Sequence, residues 1–211
     1  MKIFMKILTK RIHREKDGVT LLEIVIALGI FALVGGAVGT FARDLFVYSG
    51  GVSNSLSAQQ DARAILRDFA AEVREAQLAA NGAYPIEKAD NNELIFFSDI
   101  DKDGTRDRVR YYLSGNSLMK DVTIPTGSPP GYTGAPKIKT LIHDTANGGT
   151  PFFSYYNTSY DGTAAALVQP VTISVVRLVK ANVIIERDPN RSPTPITVTT
   201  QVSFRNLKDN L

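Results

Sequence analysis

The chain has no cysteine, and only one of its two histidines, His143, lies beyond the first 18 residues. A disulfide scaffold and a Cys- or His-rich metal centre are thereby excluded, and a Ser-His-Asp triad would have to use His143 alone. No Gly-x-Ser-x-Gly, P-loop or dinucleotide-type glycine pattern is present either. No enzymatic constellation is therefore expected, and His143 beside Asp144 reads as a solvated surface pair. Proline is absent before Pro85, with all ten prolines between Pro85 and Pro195, so residues 19 to about 80 are free to form one long helix. Charge is absent from Ile24 to Ala42, a run long enough to cross most of a hydrocarbon core. A basic excess is absent from the body of the chain. The formal charge of +3 arises in the first 18 residues, which carry +4, leaving about −1 for the rest. That balance implies no nucleic-acid face.

At the head of the uncharged run stands Asp17-Gly18-Val19-Thr20-Leu21-Leu22-Glu23, which places one carboxylate five residues after a glycine. An acid in such a segment costs roughly 2 to 3 kcal/mol on insertion scales and is expected to have a partner and a role. The lysines and arginines before it assign the N-terminal end to the cytoplasm and the large C-terminal part to the far side. A secretory signal peptide fits poorly, because its apolar region is shorter and carries no acid. An ordinary signal anchor, with Glu23 merely at the interface, is the other alternative.

Gly18 followed by Val19-Thr20-Leu21-Leu22-Glu23 and an apolar helix resembles the class III signal of type IV pilins and of the pseudopilins of type II secretion. That resemblance implies cleavage after Gly18 by a membrane-embedded prepilin peptidase, N-methylation of the new N-terminal Val19, and Glu23 as the fifth mature residue. Val19 departs from the Phe or Met more often found there. It further implies residence in the bacterial cytoplasmic (inner) membrane as a single-pass protein, assembly with other pilins or pseudopilins into a filament, and a pilin-like fold. The Glu23 carboxylate would neutralise the Val19 amine of a neighbouring subunit within lipid. Val202-Ser203-Phe204-Arg205-Asn206-Leu207 and Arg67-Asp68-Phe69 resemble the J-type minor pseudopilins. The chain thus divides into a leader (1–18), a transmembrane helix half (19–45) and a globular domain (46–211). A membrane-anchored extracytoplasmic binding module with a borrowed leader, reading a ligand through residues 128–134 and 155–162, is the alternative of a different class.

Beyond the apolar run, Val52, Leu56, Ala62, Ile65, Leu66, Phe69, Val73 and Ala76 recur at steps of three and four, with charged residues between them. This half of the helix is expected to lie on a sheet. Gly50-Gly51 marks either a hinge or break, or a tolerated pair. Asn81-Gly82 reads as a helix stop, followed by strands at 93–98, 107–113, 117–124, 137–143, 152–156, 171–185 and 196–204, with a Pro- and Gly-rich loop at 124–136. The expected class is α+β, with an antiparallel sheet packed on the C-terminal half of the helix. Tyr155, Tyr156 and Tyr160 read as aromatic packing of strand against loop, and the sequons at Asn157 and Asn190 as chance.

One further motif bears on chemistry. Asp99-Ile100-Asp101-Lys102-Asp103-Gly104-Thr105-Arg106-Asp107 has the alternating acids and the glycine of a calcium loop. Position twelve is Arg110, however, where an EF-hand has a bidentate Glu, and a strand rather than a helix leads in. Calcium held by Asp99, Asp101, Asp103 and Asp107 is one reading. The other is a hairpin turn whose acids pair with Lys102, Arg106 and Arg108.

Overall fold

The computed structural model describes residues 18–186 and 195–207, with side chains at 51–54 left aside. The leader to Asp17 and Asn190 lie outside the described residues. Two compact units meet between Val47 and Tyr48.

In the first unit the helix α1, Leu21–Arg74, begins and continues into the second. Thr20 starts it: its hydroxyl accepts the Glu23 amide at 3.3 Å and its carbonyl accepts the Ile24 amide at 3.2 Å. From Leu21 to Phe41 every side chain is exposed, Phe31 and Leu33 each at 77%. The helix is long and apolar enough to cross a membrane. Gly50 and Gly51 both fall inside it.

The second unit is α+β. Five strands form an antiparallel meander in the order β1 (Ile86–Asp90), β2 (Glu93–Ser98), β3 (Asp107–Ser114), β4 (Ser117–Thr123), β5 (Lys137–Ile142). A second antiparallel sheet takes β6 (Phe153–Tyr156), β7 (Leu178–Ile185) and β8 (Ile196–Ser203). The single sheet expected from the strand pattern is thus two. They are tied together where the Phe153 amide donates to the Asn91 carbonyl at 2.8 Å and the Tyr155 hydroxyl to the Asp90 carbonyl at 2.9 Å.

The helix face that meets these sheets is Ala58, Ala62, Leu66, Phe69 and Val73, all buried, which is the three-and-four periodicity of the sequence realised, and Ala76, also buried, lies just past the helix end. Leu56 lies off that face and is exposed. Phe69 stands edge-on to Tyr111 at 5.1 Å and tilted against Phe153 at 5.7 Å, so one side chain of α1 touches both sheets. Beside it the Tyr111 hydroxyl donates to Glu72 at 2.7 Å, and Lys120 forms an ion pair with the same carboxylate. Desolvation, reinforced by Glu72, pushes the Tyr111 phenol well above its ordinary value.

Three expectations change. The helix stops at Arg74 rather than near 80, because the Gln77 amide is taken by the Phe97 carbonyl at 2.9 Å as the chain leaves for the sheet. Gly82 consequently serves a turn past the helix end, at φ +81° with its amide on the Ala79 carbonyl. The long run 171–185 is a strand only from Leu178, with a short 3-10 turn, Ile173–Val175, before it.

Candidate functional site

Two places carry the residues with chemical potential. The first is the start of α1. Gly18, Val19 and Thr20 precede the helix without regular structure, and Glu23 lies in its first turn. Thr20 and Glu23 have the spacing of a capping box, a Thr that accepts the amide three residues on and a Glu at that third position. This role for Glu23 is legible in Thr20-Leu21-Leu22-Glu23, but sequence reasoning passed over it in favour of the charge. An acid in the first turn also suits the positive end of the helix. Val19 and Glu23 are both exposed.

The second is the loop between β2 and β3. Lys102 (φ +62°) and Gly104 (φ +88°) turn the chain back on itself. The turn brings oxygens of Asp99, Asp101 and Asp103 within 4.8 Å of one another. Backbone amides point into the cluster: Gly104 donates to Asp99 at 3.0 Å, Thr105 to Asp103 at 2.7 Å and Asp103 to Asp101 at 3.4 Å. Asp107, at the foot of β3, stands behind these three rather than among them. It is 3% exposed, and its carboxyl is pushed up to about 6, first by burial and then by the charges of Asp101, Asp103 and Asp99, against a hydrogen bond from the Ile100 backbone.

Neutralisation of the acids by nearby bases does not hold among the described residues. Arg106 donates to the Gly104 carbonyl and to Gln77, both at 2.9 Å. Arg108 grips Glu87 through two hydrogen bonds at 2.7 and 2.6 Å. Arg110 is held by Glu93 and, at 3.2 Å, by Asp121, so the twelfth position offers no ligand. One oxygen of Asp99 is buried without a hydrogen-bond partner. Carboxylates left unneutralised around an unpartnered buried oxygen fit a hard cation such as calcium. Asp99, Asp101 and Asp103 would hold it, and Asp107 would add charge from behind.

In the loops considered for ligand reading, the tyrosines are engaged in packing. Tyr132 lies against Phe97 at 5.0 Å, while its hydroxyl donates to the Arg106 carbonyl and accepts from the Ala80 amide. Tyr155 and Tyr156 are buried, and Tyr156 packs on Tyr160 at 4.1 Å. The Asn157 side chain closes a local turn onto Ser159, and His143 and Asp144 are both exposed just beyond β5.

A scan against models of known protein families finds no match for this chain. A search of curated proteins finds none either.

Proposed function

We propose that this chain is a minor pilin or pseudopilin, a non-enzymatic structural subunit of a type II secretion pseudopilus or a type IV pilus. A prepilin peptidase removes residues 1–18, and the mature subunit begins at Val19, whose new amine is the site for N-methylation. It is held in the bacterial cytoplasmic membrane by the first half of α1, with its sheet domain on the far side. The observation that supports this most is the juxtaposition at the start of α1. Gly18 is followed within five residues by Glu23, and from there to Phe41 only exposed side chains occur, apolar enough to need lipid or neighbouring helices around them. Within lipid, the Glu23 carboxylate and a neighbour's Val19 amine neutralise each other and set the axial register.

Intact-mass measurement of the protein purified from membranes tests the reading. The expected mass is that of residues 19–211, with or without one methyl group. A chain retaining Met1 to Gly18, or cut near Ala42, overturns it.

A calcium ion in the acidic loop is a second, separable element of this reading, favoured by the partnerless Asp99 oxygen and the gathering of the Asp99, Asp101 and Asp103 carboxylates within 4.8 Å of one another. It would clamp the β2–β3 connection in a chain that has no disulfide to do so.

A further inference from the structure

β5 closes one end of the five-stranded sheet and, among the described residues, pairs with β4 alone. A strand in that position presents a row of backbone donors and acceptors to any chain that can lie beside it. Lys137, Ile138 and Lys139 are exposed, with Ile138 at 60%, before the strand sinks to the buried Ile142.

The register makes this edge chemically specific. Lys139 stands opposite Lys120, and Lys137 opposite Val122, so the three lysines share the face on which Tyr111 meets α1. Glu72 answers the charge of Lys120. Among the described residues Lys137 and Lys139 form no ion pair, and Lys139 faces a like charge directly across the ladder, an unfavourable arrangement. Beside them runs an open groove of about 270 Å³ whose wall holds the apolar Val122, Ile124 and Ile138 and also the acids Asp101 and Asp107, neither of which forms an ion pair with Lys137 or Lys139. The edge therefore offers two cations at alternate positions on one face and an apolar side chain between them on the other.

A second copy of this edge is a poor occupant. Two β5 strands placed antiparallel about Ile138 would set Lys137 of each against Lys139 of the other, like charge on like charge. We propose instead that the free edge of β5 receives a β-strand of a different polypeptide carrying carboxylates at alternate positions. Those carboxylates pair with Lys137 and Lys139, and the apolar side chain between them lies on Ile138. Main-chain hydrogen bonds supply the affinity and the alternation supplies the choice of partner. The surface does not depend on cleavage at Gly18 or on the role of Glu23.

Lysines on an edge also discourage indiscriminate pairing, a use that requires no partner. The test separates the two. The full chain in a non-ionic detergent is titrated, at physiological ionic strength, against a fluorescein-labelled peptide Gly-Thr-Glu-Val-Glu-Val-Thr-Gly, with fluorescence anisotropy as the readout. A second peptide has the same residues with the two glutamates adjacent, and a third has lysines in their place. The alternating acidic peptide is expected to bind about tenfold more tightly than its isomer, and the lysine peptide not at all. The double variant Lys137→Glu/Lys139→Glu, with its circular dichroism spectrum unchanged, should reverse the preference in favour of the lysine peptide. Equal binding of the two acidic isomers would show diffuse attraction to anions and overturn the proposal. So would the absence of binding, which would leave the lysines as guards of the edge.

Discussion

The ring of Phe69 meets Tyr111 of β3 edge-on at 5.1 Å and Phe153 of β6 at 5.7 Å, so a single helix residue bridges the two sheets. Neither sheet is large, and three strands with one covered face are close to the minimum for independent stability. Phe69→Ala removes a side chain that is 1% exposed and leaves a cavity at the junction. The expected loss is about 3 to 5 kcal/mol, whereas Phe69→Leu should lose markedly less. Urea denaturation of residues 48–211, which form one compact unit, provides the measurement. A loss below about 1 kcal/mol for the alanine variant would mean that the sheets hold together without this bridge.

How far such contacts can be read from sequence depends on whether the signal is local. The buried helix face appears in the spacing Ala62, Leu66, Phe69, Val73, and β8 appears in the alternation of Val198 and Val202 with exposed Thr199 and Gln201. Strand β1 gave no such signal. Ile86-Glu87-Lys88-Ala89-Asp90 has two apolar residues, and a register shift between Ile86 and Lys88 breaks the alternation. The early end of α1 depends on the Phe97 carbonyl, some twenty residues downstream, and the division into two sheets depends on pairing that no window of sequence contains. The acidic loop was visible as a string of aspartates. Its neighbours were not: only the folded chain sends Arg106 to Gln77 and Arg108 to Glu87, leaving the acids without two of the bases that sequence proximity suggested.

That loop has a pH signature. The Asp107 carboxyl lies at about 6 in the folded chain against an ordinary 3.8, so between these values the folded state holds a proton that the unfolded state has released. The contribution of this one group to stability is therefore greatest on the acidic side, falls as pH rises from about 4 through about 6, and is level above that. Asp107→Asn should remove this decline and be the more stable protein at pH 7, with the hydrogen bond from Ile100 retained. A thermal melt at pH 4.5, 6 and 7.5 would show it, and a variant that melts lower than the parent at pH 7.5 would contradict it.

A cation among Asp99, Asp101 and Asp103 should offset the same repulsion. At a hundredfold excess over its dissociation constant it would add about 2.7 kcal/mol, several degrees in melting temperature for a chain of this size. Millimolar calcium is thus expected to raise the melting temperature above that in chelator at pH 7.5. The gain should be absent in Asp101→Ala/Asp103→Ala. Indifference to calcium and chelator at pH 7.5 would return these acids to turn geometry alone.

Glu23 now has two candidate roles, and they diverge under substitution. As the third residue of a capping-box sequence after Thr20 its side chain would accept the Thr20 amide and stabilise the start of α1, and glutamine serves that role as well as glutamate. As the counter-charge to a neighbour's Val19 amine it must be ionised, and glutamine cannot substitute. Glu23→Gln should therefore leave membrane insertion and cleavage after Gly18 intact, or ease insertion, while incorporation into filaments falls. Glu23→Ala should fail in assembly as well, and Glu23→Asp should do less harm. Crosslinking of subunits within membranes reads incorporation, and intact mass reads cleavage on the same sample. If the glutamine variant assembles like the parent while alanine does not, the cap and not the charge governs assembly, and the intersubunit charge pair is removed from the account.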